Sequence, residues 1–355
     1  MSGSDVTKDG MRGVRPGRDA TVGANVGPGG AAPPPGRPRE AGAGKGKGAE
    51  QVMVPPAQFR SYYGMPVINK PVWQSPDIPG YLFTGGLAGA GAVVAAAAQV
   101  TGRRSLARSL KVTDAAAIGV SLYFLVHDLG RRTRFFNMLR TFKVTSPMSV
   151  GSWLLAAYSP AAAAAALSEV TGILAPVGTV ATFGAAALGP AVASYTAALI
   201  ADTAVPAWHD GYREMPFVFV ASAASAAAGV GMAAAPAAET GPLRRLGIVA
   251  GVLELALDKA MEMRMGMVGG AFREPKARRF TQMAEMATGA GVAVAALLGR
   301  RSRLARVVAG ACLVAGSALT RFGIFEAGMA SAEDPRYTIV PQRQRLAASN
   351  PRRVG

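Results

Sequence analysis

Between residues 79 and 327 the chain returns repeatedly to long stretches of Ala, Gly, Leu and Val, broken by short basic or proline-containing connections. A helix needs roughly 20 residues to cross a hydrocarbon core about 30 Å thick. Eight runs approach that length: 79–100, 112–129, 147–167, 179–201, 215–235, 246–268, 281–298 and 304–327. Inside a bilayer a backbone N–H or C=O finds no water, so each segment must satisfy its own hydrogen bonds as a helix or share them in a closed barrel. Alternation of apolar and polar residues is absent, and alanine-rich runs are strong helix formers, which argues against the barrel. The expected fold class is all-α: a polytopic membrane protein with about eight transmembrane helices bundled over residues 79–330.

The rest of the chain divides by composition. Residues 1–50 are rich in Gly, Pro, Ala and basic side chains and nearly lack aromatic and branched apolar ones. Such a segment buries too little surface to offset its ordering entropy and is expected to be a disordered basic tail. No apolar stretch follows its charges closely enough to make it a secretory signal. Residues 51–78 hold five prolines, paired tyrosines and Trp73, the composition of an extended segment at the headgroup level. Residues 331–355 form a polar C-terminal tail.

The net charge of +17 comes from lysines and arginines in the tails and connections. That distribution anchors and orients helices in a lipid bilayer and gives no nucleic-acid footprint. The basic excess lies on the side of the termini, so the protein is expected in the cell membrane with both termini cytoplasmic.

Redox-centre chemistry is bounded by two residue types. Cys312 is the only cysteine, which rules out an internal disulfide and a cysteine-ligated iron–sulfur cluster. The only histidines are His127 and His209, too few for a di-haem anchor. His209 lies in a polar connection rather than a span, which disfavours a single bis-His haem. Met261, Met263, Met265 and Met267 alternate too tightly for one helix face and read as gap-fillers, so no metal site is expected.

Two polar tracts stand out. Residues 127–153 join two apolar runs and carry His127, Asp128 and five basic residues, Arg131, Arg132, Arg134, Arg140 and Lys143, before turning through Ser146 and Pro147. In the sixth span Glu254, Asp258 and Glu262 fall at i, i+4 and i+8 on one helix face beside Lys259. Ionisable groups at membrane depth are costly and mark either pathways or internal pairs, with Glu285 and Arg321 as available partners. Gly85 and Gly89 in the first span have the spacing of a close helix contact.

Three places in the chain resemble the NrfD/PsrC family of polysulfide-reductase-like membrane anchor subunits. One is the entry to the first span, with Trp73, Pro76, Tyr81, Leu82, Phe83 and Gly85 to Ala88. The second and most specific runs through Asp128, Leu129, Gly130, Arg131, Arg134, Phe135, Asn137, Met138, Leu139 and Ser146 to Ser149, closing on Gly151 and Trp153. The third is 321–328 with Asp334 to Tyr337. The resemblance covers residues 70–345. It implies an eight-helix protein with no redox centre of its own, which exchanges electrons with menaquinone or ubiquinone. It also implies two partners, an iron–sulfur ferredoxin-like subunit and a molybdopterin catalytic subunit, as in anaerobic respiration. Family members with a well-defined quinone site carry a histidine early in the first span, where this chain offers Asp77, Tyr81 and Thr84.

On that basis His127, Asp128, Asn137, Tyr81, Tyr123 and Trp153 are the candidates for quinone binding and proton exchange. Quinone chemistry needs hydrogen bonds to two carbonyl oxygens and a group that titrates near neutrality. Arg131, Arg134, Ser146 and Ser149 are candidates for fixing the connection and docking the partner. Glu254, Asp258, Lys259, Glu262 and Arg321 form a possible proton path from the far side of the membrane. Simpler readings stand beside these: His127 capping a helix end, Asp128 paired with a neighbouring arginine, and the aromatic residues as interfacial anchors. A proton-coupled transporter and a purely structural anchor are the alternative functions; no inverted repeat supports the first.

Overall fold

A computed structural model of the protein describes residues 67–129 and 133–349, and all eight apolar runs are helical in it. They become α1 (Asp77–Val100), α2 (Arg104–Asp128), α4 (Pro147–Thr171), α5 (Ala175–Ala201), α7 (Met215–Ala234), α8 (Gly241–Arg264), α9 (Pro275–Leu297) and α10 (Arg303–Glu333). Short helices α3 (Arg134–Met138) and α6 (Pro206–Asp210) lie in connections, and α11 (Arg336–Ser349) ends the described chain. No strand occurs among the described residues. The basic tail 1–50, most of the segment 51–78 and Arg131 lie outside them.

Two helix starts differ from expectation for physical reasons. The second helix begins eight residues before the predicted start at 112, because the basic stretch there is itself amphipathic. Leu106, Ala107 and Leu110 are buried, and the free N–H of Leu106 is capped by Glu239 Oε2 at 2.8 Å. The same holds for α8, which starts at Gly241 and carries Arg244 and Arg245 in its first turns. By contrast α4 starts where local chemistry says it should: Ser146 caps it, Pro147 occupies its first position, and it ends on Gly172 in the left-handed region.

Six of the eight long helices combine the length and apolarity to cross a membrane: α1, α2, α4, α5, α7 and α10. The expected spans at α8 and α9 fall short of that apolarity because they carry the charged residues discussed below. Large apolar side chains such as Val180, Val249, Leu253 and Leu297 point outward, the surface a bilayer would cover.

α1 and α7 are the inner helices. Two-thirds of the apolar window of each is buried (67%), against 33–39% in α2, α4 and α5. α1 packs on α2, α5 and α7, and α4 packs on α5. The crossings are made by glycine: Gly89 of α1 lies on the Gly189 carbonyl of α5, and Gly229 of α7 lies on the Gly310 carbonyl of α10. Without side chains the two backbones reach van der Waals contact, the main source of helix attraction where no hydrophobic effect operates. At one end Leu106, Leu110, Met232, Leu243 and Leu313 form a larger apolar cluster. At the other, Arg264 ties the end of α8 to Glu214 just before α7 (2.5 Å) and to the Asp210 carbonyl (2.5 Å). A separate smaller unit comprises described residues 67–70 and 332–349, in which Lys70 pairs with Glu333 and Asp334 accepts the Arg336 N–H at 2.9 Å.

Two expectations follow. Gly89→Ala forces the α1–α5 crossing apart and should cost about 1–3 kcal/mol, whereas Gly184→Ala, whose added Cβ meets open space, should cost nothing comparable. Unfolding of the purified protein in detergent compares the two. The second concerns pH. The hydrogen bond from Arg264 holds the Glu214 carboxyl below its ordinary value against a smaller effect of burial. A depressed carboxylate contributes stability above the unfolded-state value, about 4.3, and loses it as pH falls through the folded one. Glu214→Gln should therefore flatten the acid limb of the stability profile below that pH and leave the neutral region little changed in shape.

Candidate functional site

The end of α2 brings His127, Tyr123 and Asp128 together within one and a half turns, and the start of α1 meets them. His127 Nδ1 lies 2.7 Å from Asp77 Oδ2. An ionised carboxylate can only accept, so a charged Asp77 assigns the proton to Nδ1 and leaves Nε2 as the unengaged ring nitrogen. The two partners differ in burial: the Asp77 side chain is 10% exposed and that of His127 58%. The pair thus has one fixed, buried member and one that presents an imidazole edge to the outside. Tyr123 stacks on the imidazole with ring centres 5.7 Å apart and planes 22° from parallel. Asp128 points elsewhere and accepts the Gln74 N–H at 3.2 Å, tying the chain before α1 to the end of α2.

One turn inward on α1, Tyr81 is buried and its hydroxyl pairs with that of Tyr195 from α5. The Tyr195 ring lies across Gly151 of α4, where any side chain would collide with it, and Ser121 Oγ donates to the Tyr81 carbonyl at 3.2 Å. Beside this region Trp73 stacks on Trp208 with ring centres 5.4 Å apart. Trp208 also packs on Phe325 and donates to the Ile324 carbonyl at 2.8 Å. Asn137 is exposed on α3, and Trp153 is partly exposed with Phe142 edge-on to its ring. Neither makes a hydrogen bond or ring contact with His127.

The connection between α2 and α4 is held by serine. Ser149 Oγ donates to the Thr141 carbonyl at 2.9 Å and accepts the Lys143 N–H at 3.0 Å, while Ser146 Oγ accepts the Ser149 N–H. Arg134 stays exposed.

The acidic ladder of α8 divides in two. Glu254, near the middle of the helix, is buried and satisfied: Thr320 Oγ1 donates to it at 2.9 Å and Ser225 Oγ at 3.1 Å. Arg321, 1% exposed, lies within electrostatic reach of Glu254. Its hydrogen bond goes instead to the Phe219 carbonyl at 2.8 Å, and it sits 3.8 Å above the Phe219 ring. Asp258, Glu262 and Glu285 place a carboxylate oxygen each within 4.8 Å of one another, and Lys259 bridges Glu285 (2.5 Å) and Glu262 (3.5 Å). That bridge lies toward the end of α8 that Arg264 ties to the α6–α7 region, and Trp208 of α6 stacks on Trp73 next to α1. The ladder therefore opens on the same end of the bundle as His127. An i, i+4 spacing identifies a face but carries no direction across the membrane.

Tyr195 is the residue here that sequence reasoning passed over, and Asp77, offered there in place of a first-span histidine, was not foreseen as the partner of His127. Asp77 is 50 positions from His127, and only the return of α2 against α1 joins them. The expected cost of disturbing the interior network is specific: Thr320→Val removes a donor from buried Glu254 and should lower stability by about 1–3 kcal/mol. The more exposed Thr179→Val, whose Oγ1 donates only to its own helix and accepts Gln99 at 3.3 Å, should cost less in the same unfolding assay.

A family model described as polysulfide reductase, of the NrfD type, matches residues 59–333. No curated protein matches the chain.

Proposed function

The chain belongs to the NrfD-type polysulfide reductase family, a family of membrane subunits of oxidoreductase complexes, and from that membership we propose that it exchanges electrons between a quinone pool and an iron–sulfur partner. The quinone is bound and its protons are handled at the His127–Asp77 pair. A bound quinol would supply an electron pair and release two protons, and a bound quinone would take up both.

The observation that carries this reading is the His127–Asp77 hydrogen bond with its unequal exposure. It leaves Nε2 on an open edge at one end of the bundle, where a carbonyl or hydroxyl oxygen approaching from lipid can reach it. The residues fit such a group: Nε2 offers a hydrogen bond in plane, and the flat Tyr123 face beside it suits a planar ring. Asp77 fixes the imidazole tautomer and stabilises the imidazolium, so Nε2 can take a proton from a hydroxyl or return one to a carbonyl oxygen. Tyr81 with Tyr195, and behind them Ser121, extend hydroxyl groups inward from the same corner.

Electron transfer needs a partner cluster close to this corner, and the serine-tied connection 139–149 with Arg134 and Arg140 exposed suits an acidic docking surface on a ferredoxin-like subunit. A molybdopterin catalytic subunit would lie beyond that partner. The basic excess on the His127 side favours a cytoplasmic orientation of that side.

His127→Ala should lower quinol-linked turnover of the assembled complex by about a hundredfold or more, the usual contribution of a positioned acid–base group. Asp77→Asn, which keeps the shape but loses the charge, should lower it by roughly tenfold or more. Turnover with a soluble quinol, measured alongside co-purification of the partner subunits, separates the cases. Unchanged turnover in His127→Ala with intact assembly defeats the reading.

A further inference from the structure

A second polar site lies in the four-helix group of α1, α2, α4 and α5, toward the end opposite His127. Asp114 of α2 is 2% exposed, and neither of its carboxylate oxygens meets a protein hydrogen-bond donor. It is thirteen residues before His127 on the same helix, which sets it about 20 Å deeper along the helix axis. α1 makes room for it at Gly91, where a Cβ would collide with the carboxylate. A cavity of about 10 Å³ adjoins it, walled by alanines of α1, α4 and α5 together with Lys111 and Thr182. That is the size that admits roughly one water molecule.

The surroundings identify the ligand class. Lys111, one turn toward the start of α2, is also buried, and its Nζ is bound to Glu169 Oε2 of α4 at 2.7 Å. The Glu169 side chain is 30% exposed and reaches the outside at that end. The charged and titratable groups beside Asp114 are Lys111 on its own helix, which lines the same cavity, and Tyr158 on α4, and Glu169 is joined to this group through Lys111. Tyr158 donates to the Ala88 carbonyl of α1 at 2.6 Å, and α1 and α5 bring only Gly91, alanines and Thr182 to the cavity. An ionised carboxylate without donors in such a place is strongly disfavoured. A metal cation would lie beside the Lys111 ammonium with a single carboxylate to hold it, too few charged ligands for a built site. A proton, shared with one water, neutralises Asp114 and needs no further ligand.

We propose that Asp114 is a proton-binding site, loaded through the adjoining water and the Lys111–Glu169 pair from the membrane face opposite His127. In the exchange an O–H bond forms on an Asp114 oxygen as one breaks on the water, and the water regains its proton from the Glu169 side. No electron moves. Use of that proton in quinone chemistry rests on the function proposed above; the binding itself does not. The acidic ladder of α8 opens at the His127 end, so Asp114 is the buried acid placed to serve the other face.

Infrared spectroscopy of the intact complex in membranes tests the site directly. The wild type should show a protonated-carboxyl stretch that shifts on transfer to heavy water and is absent in Asp114→Asn. Should that variant not accumulate, Asp114→Glu should move the same band. Lys111→Met should keep the band but slow its isotope exchange by about tenfold or more, the change expected when an ionic hydrogen bond is lost from the path. Absence of the band, its persistence in Asp114→Asn, or exchange unaffected by Lys111→Met overturns the proposal. Normal turnover in His127→Ala with the Asp114 band intact would instead remove the quinone reading and leave this site standing.

Discussion

Hydrocarbon offers no hydrogen bonds, and the structure follows from that single fact. Each backbone group in the eight long segments must be satisfied where it stands, which fixes the helix as the unit of construction. Since lipid is as apolar as leucine, burying leucine brings little attraction between helices, and close backbone approach has to provide it. Hence α1 and α7, the inner helices, meet their neighbours through Gly89 against Gly189 and Gly229 against Gly310. Many large apolar side chains are left to face outward.

Under the same constraint each buried polar side chain needs a reason to be there. Glu254 has its donors in Thr320 and Ser225, and Lys111 has Glu169. The Asp258, Glu262 and Glu285 carboxylates gather round Lys259. These arrangements separate into districts: the His127–Asp77 corner, the α8 ladder opening at the same end, and Asp114 with Lys111 toward the other.

The His127 corner also shows how an open site is held by a closed scaffold. Asp77 and Tyr81 are buried on an inner helix, while His127 and Tyr123 extend from a peripheral one. The buried members fix geometry and charge, and the exposed members reach the surface of the bundle. Trp73 stacked on Trp208, and Gln74 bonded to Asp128, secure the segment that leads into this corner.

Hydropathy and composition alone determined the all-α class, the eight helical segments and the start of α4, because those depend on local properties: run length, alanine content, and the Ser146–Pro147 cap. The polar tract after His127 and the carboxylate face of α8 were legible for the same reason. The early start of α2 was not, since its cap comes from Glu239, 133 residues from Leu106. Nor was the His127 partner, since Asp77 is brought to it by antiparallel packing, nor the significance of Asp114, which looks in sequence like one charge near the edge of a span. The sequence by itself determined which segments are helices and which residues can carry protons. The tertiary structure alone decided which of those residues meet, how deeply each is buried and toward which face each lies, because pairing and depth are properties of helices packed side by side.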